Sequence, residues 1–230
     1  MSNVLITGSN RGIGLALTRL YAQRGDTVFA CCRTPTKADE LQALASNHSV
    51  DVVALDVGDE GSVAALASHL ADTPIDILIN NAGVKGGEPE QQTAVRMDFS
   101  AWAEAFNVNS MGPARVMQAL LPALERSENP KVMNITSQLG ALSLDLPFSL
   151  AYSASKAALN KFMRLAAIEL KPQGIAIGLI HPGWVKTDMG GPGAQITPAE
   201  SAAGIARVID QLSLDNTGGF WKWNGSRHEW

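Results

Sequence analysis

Two side chains capable of acid–base chemistry, Tyr152 and Lys156, lie four residues apart in a segment with helical spacing. In a helix this spacing places both side chains on one face, one turn apart. A free phenol titrates at about pH 10, and a neighbouring ammonium favours the phenolate. The pair could therefore transfer a proton near neutral pH. The same spacing is common on helix surfaces, so it indicates a site only together with other features.

A glycine-rich segment near the amino terminus could bind phosphate. Residues 7–14 read TGSNRGIG, follow a short apolar run and lead into a helical pattern. The three glycines permit a tight turn, a close backbone approach to a pyrophosphate and close packing of helix on strand. Glycines also serve ordinary strand-to-helix turns, and this spacing differs from the commonest dinucleotide fingerprint. The residues predicted to bind a cofactor here are Gly8, Ser9, Asn10, Arg11, Gly12, Ile13 and Gly14.

Positive charge after the second predicted strand bears on the type of cofactor. Arg33 lies about 20 residues beyond the glycines, where an Asp or Glu would bind the ribose hydroxyls of NAD. Arg33 and Arg11 could together match the 2′-phosphate of NADP in charge and geometry. The sequence therefore favours NADP(H), with NAD(H) possible; alternatively, both arginines are solvated surface residues. Asp56 and Val57 are assigned to the adenine side, although an Asp at a strand end is also typical of a turn.

Alternating strand-like and helix-like segments predict the elements that would position these residues. Continuous apolar runs are each followed by apolar residues at three- and four-residue intervals, which is typical of a parallel sheet covered by helices on both faces. Strands are predicted at Val4–Thr7, Thr27–Cys31, Val50–Leu55, Ile75–Asn80, Lys131–Thr136, Ile175–Ile180 and Gly219–Trp223. Helices are predicted at Gly12–Gln23, Thr36–Ala45, Asp59–Ala71, Asp98–Leu124, Ala151–Leu170 and Pro198–Leu212.

The predicted fold class is therefore α/β, a doubly wound parallel sheet of the Rossmann type in a single domain spanning residues 1–230. Two long connections, Gly83–Asp98 and His181–Thr197, follow predicted strands. In open α/β sheets, ligands bind at loops beyond the carboxyl ends of the strands. We expect substrate loops at residues 84–98, 138–151 and 182–198.

Composition excludes several other kinds of function. Lys and Arg total 18 and Asp and Glu total 22, so the net charge of −4 predicts no nucleic-acid partner. No apolar stretch reaches the roughly 20 residues that span a bilayer, so no membrane partner is expected. The only cysteines, Cys31 and Cys32, are adjacent, which excludes a disulfide framework and favours a cytoplasmic location. The four histidines lack metal-ligand spacing, so no metal is expected; His181 is interpreted as structural.

Further motifs occur in the order and spacing of one known family. They are Asn80-Asn81-Ala82-Gly83 after the fourth predicted strand, Asn109 in the segment NVNSMG, Ser137 after the fifth strand, and Pro182-Gly183 after the sixth. With the glycine turn and the Tyr–Lys pair, these motifs make the chain resemble the short-chain dehydrogenase/reductase family. The resemblance runs from about Asn3 to Gly225.

The resemblance implies a catalytic group of four residues. Tyr152 is similar to the general acid that protonates a carbonyl oxygen during reduction, and Lys156 to the residue that holds the nicotinamide ribose and lowers the pKa of the tyrosine. Ser137 resembles the serine that binds the carbonyl, with Thr136 as its nearest rival. Asn109 resembles the asparagine that positions a proton-relay water.

The resemblance also implies further contacts with the cofactor. The segment Asn81-Ala82-Gly83 resembles the wall beside the adenine ribose, and Thr187 resembles the hydroxyl that meets the nicotinamide carboxamide. Tyr152 and Lys156 belong to this cofactor-binding set as well, together with Pro182, Gly183 and Val185.

Within the family, segments 181–191 and 218–225 resemble the C-factor and sniffer-type carbonyl reductase branch. The substrate-pocket residues that this implies are Leu139, Leu142, Leu146, Phe148, Trp184 and Met189. They are nearly all apolar, which suits a hydrophobic aldehyde, ketone or quinone, although each could simply pack against its own loop.

The expected function is therefore an NADP-dependent oxidoreductase that interconverts a small-molecule carbonyl compound and its alcohol. The alternative is an NADP(H)-binding signalling or regulatory protein of C-factor type with little required turnover. Presence of all four catalytic residues favours the enzyme, because a sensor needs only the binding half. A homodimer or homotetramer is expected, and Trp230 has no assigned role.

Overall fold

Seven strands form one parallel sheet in the computed structural model, which describes all 230 residues. These strands are β1 (Asn3–Thr7), β2 (Thr27–Cys32), β3 (Val50–Ala54), β4 (Ile77–Asn80), β7 (Lys131–Ile135), β8 (Ala176–His181) and β9 (Phe220–Lys222). A separate antiparallel hairpin of β5 (Gln92–Thr93) and β6 (Arg96–Met97) lies in the connection after β4. The sheet order is β3-β2-β1-β4-β7-β8-β9. This arrangement confirms the predicted doubly wound parallel sheet.

Eight α-helices connect and cover the strands. They are α1 (Gly12–Gln23), α2 (Asp39–Ala45), α3 (Glu60–His69), α4 (Phe99–Phe106), α5 (Gly112–Ala119), α6 (Leu121–Leu124), α7 (Leu150–Leu170) and α8 (Pro198–Gln211). One core joins apolar side chains of α1, α2 and α8 to one face of the sheet, and a second joins those of α3, α5 and α7 to the other. The central strands are therefore buried on both faces, which explains their continuous apolar runs.

The helix predicted over Asp98–Leu124 is continuous over residues 99–119, where a π-helical turn at Asn107–Met111 joins α4 to α5, and it breaks at Leu120 before the short α6. Pro113 and Pro122 lie in the first turns of α5 and α6. A proline has no N–H to donate to the carbonyl four residues earlier, so an α-helix cannot continue regularly through either position. The apolar periodicity continues past Leu120, since Val116, Met117 and Leu124 on either side of it belong to the same core cluster.

The order of strands reverses between β1 and β4, and both lie at the centre of the sheet. Loops leaving the carboxyl ends of these two strands diverge in opposite directions and leave a crevice between them. The glycine turn follows β1, and Asn81 follows β4. None of the helices combines the length and apolarity that crossing a membrane would require.

Candidate active site

The glycine turn forms a cradle that side chains would fill. Gly8 and Gly12 have positive φ angles of 68° and 57°, a region that disfavours residues with a Cβ. A Cβ on Gly8 would lie 2.9 Å from the Ala82 Cα, and one on Gly14 would lie 2.2 Å from the Gly8 carbonyl oxygen. Helix α1 begins without a side-chain cap, so its first N–H groups remain free for an anion. These features fit a dinucleotide pyrophosphate.

The other residues of this turn have different environments. Ser9 is fully buried, and its hydroxyl donates to the Ile6 carbonyl at 2.7 Å, so its side chain holds the turn and faces inward. Asn10 is exposed and Ile13 lies on the wall of the main cavity. Arg11 forms an exposed ion pair with Asp188 of the loop after β8. This contact joins the glycine turn to the loop after β8.

Asn81 joins β1 to β4 at the point where the strand order reverses. Its side-chain amide donates to the carbonyls of Thr7 at 2.9 Å and Gly8 at 3.0 Å. The Thr7 hydroxyl accepts from the backbone N–H groups of Asn81 and Ala82. A Cβ on Gly83 would lie 3.2 Å from the Asn109 Oδ1. The segment therefore stabilises the sheet and keeps the crevice floor narrow.

Residues assigned to the adenosine side lie at the ends of β2 and β3. Arg33 is exposed directly after β2 and forms no ion pair in the structure. The Asp56 carboxylate accepts from the Gly58 N–H at 2.9 Å, the turn contact that was the alternative for this residue. Val57 is buried in the core, and its carbonyl accepts from Arg115 at 2.6 Å. The second carboxylate oxygen of Asp56 and the N–H of Val57 make no hydrogen bond within the chain.

Tyr152 and Lys156 lie one turn apart near the start of α7, as the four-residue spacing predicts. The Lys156 Nζ lies 5.8 Å from the centre of the Tyr152 ring and donates to the Ile135 carbonyl at 2.9 Å. Lys156 is only 4% exposed. The lysine is thus held between the end of β7 and the tyrosine.

The two pKa values are governed mainly by burial. Burial lowers the pKa of Lys156 to about 8, because the charged form is poorly solvated. Burial also raises the pKa of Tyr152 to about 12, while a hydrogen bond from Ser137 opposes that rise. The structure therefore does not show the expected lowering of the tyrosine pKa by Lys156. Tyr152 is a phenol at neutral pH, the form that can donate a proton.

Ser137 is distinguished from its rival Thr136 by their hydrogen bonds. The Thr136 hydroxyl donates to Asn160 Oδ1 at 2.6 Å and is thereby directed into the core. Ser137 lines the cavity, and its hydroxyl accepts from the Leu139 N–H at 3.2 Å. The Ser137 hydroxyl therefore faces the cavity and Tyr152, whereas that of Thr136 faces the core.

Asn160 is a structural residue of the site that sequence reasoning missed. Its amide accepts from Thr136 and donates to the Gly140 carbonyl at 3.0 Å, so it binds both sides of the turn that carries Ser137. Gly140 lies against α7, where an added Cβ would come within 2.9 Å of the Lys156 Cβ. The available signal was spacing: residues 152, 156 and 160 share one helical face.

Asn109 lies in the π-helical turn and connects two elements of the site. Its amide accepts from the Val84 N–H at 2.8 Å and donates to the Val84 carbonyl and the Ser155 hydroxyl. These bonds hold the loop after β4 against α7. The assignment of Asn109 to a proton-relay water stays a prediction.

A cavity of about 460 Å³ opens between these elements. The predicted residues that line it are Ile13, Ser137, Leu139, Phe148, Tyr152, Pro182, Gly183, Trp184, Val185, Thr187 and Met189. Thr187 also lies beside the glycine turn, because a Cβ on Gly12 would come within 3.1 Å of its methyl group. The structure thus brings to one cavity the residues that the sequence assigns to the nicotinamide and most of those that it assigns to the substrate.

Leu142 and Leu146 are corrections, since neither lines this cavity. Leu142 is 85% exposed and Leu146 is exposed as well. Both lie in the irregular segment between Gly140 and α7, whose side chains point toward solvent as well as toward the cavity. Apolar character alone could not separate the two directions.

Polar residues also line the cavity, whereas the pocket residues predicted from the sequence are nearly all apolar. Lys85, Gln92, Gln138, Ser149 and His181 all line it. His181, interpreted from sequence as structural, accepts from the Gln138 N–H at 3.3 Å. Burial, with help from His228 and Lys222, lowers the pKa of His181 to about 4, so it is neutral at pH 7. Its neutral ring can keep this bond to the residue that follows Ser137.

Comparisons with known proteins agree with this geometry. The family model for short chain dehydrogenase matches residues 2–195. The C-signal protein of Myxococcus xanthus is 38% identical over 172 residues, covering 72% of this chain and 99% of the relative.

Two solved structures cover the whole chain. The NADPH-bound carbonyl reductase from chicken fatty liver has a TM-score of 0.93 and 34% identity, over 100% of this chain and 99% of the other. The carbonyl reductase Sniffer of Drosophila melanogaster has a TM-score of 0.92 and 29% identity, over 100% of both chains. The chain belongs to the short chain dehydrogenase family, and its resemblance to the C-factor and sniffer-type branch is confirmed.

Proposed function

We propose that this protein is an NADP(H)-dependent oxidoreductase that reduces a hydrophobic aldehyde, ketone or quinone to the alcohol. One observation carries the proposal: Tyr152 and Ser137 line the same cavity, with Lys156 buried behind them. Apolar side chains of Leu139, Phe148 and Met189 line the same space and suit an apolar substrate. The likeness to an NADPH-bound carbonyl reductase supports the same reaction class.

The side chains have distinct roles in this proposal. Ser137 and Tyr152 donate hydrogen bonds to the carbonyl oxygen and stabilise the negative charge that develops there. Tyr152 then donates its proton to that oxygen, and the tyrosinate left behind is stabilised by the Lys156 ammonium. In alcohol oxidation the same tyrosine takes the proton back. NADP(H), when bound, supplies or accepts the hydride.

The cradle at the glycine turn and the crevice beside Asn81 are proposed to hold the dinucleotide. Free N–H groups at the start of α1 would bind its pyrophosphate. Exposed Arg33 would meet the 2′-phosphate, which favours NADP(H) over NAD(H). To bind the 2′-phosphate, Arg11 would have to break its ion pair with Asp188 or contact both groups at once. Arg33 is therefore the stronger determinant of the two.

An apolar outer face supports a homodimer or homotetramer. Phe99, Met111, Phe162, Leu165 and Ile168 are large apolar side chains that are exposed on α4, the π-helical turn and α7. Large apolar patches of this kind are typical of surfaces that contact another protein. We infer that a second copy of the chain covers them.

A signalling or regulatory role with little turnover remains the second candidate. It is favoured by the 38% identity to a relative named C-signal. Both roles require NADP(H) binding, but only the enzyme requires the proton donor. The two are separated by turnover.

The test is an assay of NADPH absorbance loss with a panel of hydrophobic aldehydes, ketones and quinones. We expect the wild type to reduce several of them and Tyr152→Phe to lose about 10³-fold or more in rate. NADPH affinity of that variant should change by less than about threefold, since the ring and its packing remain. Turnover close to wild type in Tyr152→Phe would refute the role of the tyrosine. NADPH binding without turnover of any compound would favour the regulatory role.

A further inference from the structure

Residues 226–230 form an edge segment that no role described so far explains. After β9 the chain turns at Gly225 and returns antiparallel to that strand. Lys222 N–H donates to the Ser226 carbonyl at 2.8 Å, and His228 N–H donates to the Phe220 carbonyl at 2.9 Å. We call Ser226–Trp230 the edge segment. It extends the sheet on the side where the loop of residues 141–149 lies, which is part of the expected substrate loop 138–151.

The first contact of the edge segment reaches the turn that carries Ser137. The His228 ring stacks on Phe220, with ring centres 4.4 Å apart, and meets the His181 ring edge-on at 6.1 Å. His181 in turn accepts from the Gln138 N–H. Gln138 directly follows Ser137. His228 therefore supports, through one intermediate ring, the backbone that presents the serine hydroxyl.

The second contact reaches the loop of residues 141–149. The Ser143 N–H donates to the Trp230 carbonyl at 3.0 Å. Every other backbone or side-chain hydrogen bond of residues 141–149 joins them to a partner between Ser137 and Ser153. The bond to Trp230 is thus the one hydrogen bond that ties this loop to a distant part of the chain.

The ring of Trp230 holds that carbonyl in place. Its centre lies 5.4 Å from that of Phe220, and the Arg164 guanidinium of α7 lies 4.5 Å from the ring. The ring also packs against the core cluster on the α7 side of the sheet, as Leu144 of the loop does. Aromatic and cation–π contacts of this kind restrict a side chain and the backbone attached to it.

We propose that the edge segment is a positioning element for substrate binding, in which Trp230 fixes the loop 141–149 and His228 fixes the turn at Ser137. The role rests on the proposed carbonyl reduction, because it concerns the walls of that pocket. Phe148 at the end of the loop lines the cavity, so a displaced loop changes the apolar wall that the substrate meets. The two residues act through others and do not touch the reacting atoms.

The variants for a test are Trp230→Ala, Trp230→Phe, which keeps an aromatic ring, and His228→Ala. Glu229→Ala is the matched control, since Glu229 is exposed within the same segment and its side chain makes no contact described above. Hydrogen exchange measured on the Ser143 amide reports the loop directly and needs no activity. Steady-state kinetics and NADPH titration report the pocket.

We expect Trp230→Ala to accelerate exchange of the Ser143 amide about tenfold, because its acceptor is no longer held. The same variant should raise KM for the carbonyl substrate about fivefold, with the NADPH Kd within about twofold of wild type. Trp230→Phe should restore most of both values. His228→Ala should lower kcat more than it raises KM, since it acts on the Ser137 turn.

A Ser143 amide that stays protected in Trp230→Ala, with KM unchanged, would overturn the positioning role even if the reductase activity is present. Equal effects from Glu229→Ala would overturn it too, because any change in the segment would then suffice. If the wild type reduces no carbonyl compound while Trp230→Ala still frees the Ser143 amide, the proposed function fails and the positioning of the loop stands.

Discussion

At the scale of single residues, the proposed chemistry depends on Tyr152 and Lys156, whose pKa shifts both favour the uncharged form of the side chain. Burial disfavours charge on both Tyr152 and Lys156, so it raises one pKa to about 12 and lowers the other to about 8. The tyrosine is therefore a proton donor throughout the neutral range. The lysine is the group that titrates nearest to physiological pH.

The lowered pKa of Lys156 predicts how the rate of carbonyl reduction falls at basic pH. Lys156 loses its charge as pH rises through about 8, and the tyrosinate formed by proton donation then loses its counter-charge. We expect kcat/KM to be constant between about pH 6 and about pH 7 and to fall above about pH 8. Stopped-flow or steady-state rates across this range would measure it. A profile that stays flat to about pH 10 would contradict the role of the lysine.

Arg33 predicts the cofactor preference at the same scale. A charge-assisted hydrogen bond to the 2′-phosphate contributes about 1.5–3 kcal/mol, so NADPH should bind at least about tenfold more tightly than NADH. Arg33→Asp should remove or invert this preference, since a carboxylate repels phosphate and accepts from ribose hydroxyls.

Fluorescence titration of both reduced cofactors at one salt concentration measures this preference. Arg207→Asp is the control, because Arg207 is exposed on α8 and the substitution changes the net charge equally. Equal affinities of the wild type for NADH and NADPH would show that Arg33 faces solvent and that the assignment of NADP(H) is wrong.

At the scale of elements, the amino-terminal end of α7 is stabilised from a distance. Ser149, which precedes the helix, has a left-handed φ of 52° and makes no capping hydrogen bond with its side chain. The Tyr152 N–H instead donates to the side chain of Gln92 at 3.3 Å, and Gln92 donates to the Gly87 carbonyl at 2.8 Å. Gln92, only 3% exposed, lies on the β5–β6 hairpin. The loop after β4 thus caps the helix that carries Tyr152.

Gln92→Met should therefore weaken both stability and catalysis. It leaves the Tyr152 N–H and the Gly87 carbonyl without partners, at a cost of about 1–3 kcal/mol in the free energy of unfolding. It should also lower kcat about three- to tenfold by loosening the first turn of α7. Gln91→Met is the neighbouring control, because the Gln91 side chain makes no hydrogen bond in the structure. Denaturant unfolding and steady-state kinetics that match wild type would disprove this capping role.

At the scale of the whole molecule, two apolar cores enclose the sheet, but a third apolar surface has no partner within the chain. Phe162, Leu165 and Ile168 lie on the face of α7 opposite the core and are 42%, 50% and 68% exposed. Their helical spacing makes one continuous stripe. Burying this stripe against a second copy would remove it from water.

We expect the protein to have the mass of at least two chains by light scattering after gel filtration at micromolar concentration. Leu165→Glu should shift it toward the single-chain mass, since an unpaired carboxylate in an apolar interface is costly. Glu169→Gln, on an exposed position of the same helix, should leave the mass unchanged. A wild type that elutes as a single chain at every concentration would refute the oligomer.

Local patterns were sufficient for the sheet, for most of its helices and for the glycine turn between β1 and α1. Strand periodicity and the glycines at 8, 12 and 14 depend on near neighbours in the chain, so the sequence shows them directly. The pairing of Tyr152 with Lys156 is also local, because one helical turn joins them. Family resemblance added Ser137 and Asn109, which no spacing rule connects to the helix.

Only the tertiary structure decided which side chains face the cavity and what their surroundings do to them. The sequence could not separate Phe148, which lines the cavity, from Leu142, which does not, because the irregular segment has no period that assigns a direction. Gln92, Asn160 and Trp230 act through hydrogen bonds to residues 20 to 87 positions away. Burial reversed the expected direction of the Tyr152 pKa shift, since solvation depends on every element packed around the phenol. Contacts and solvation of this kind exist only once the chain has folded.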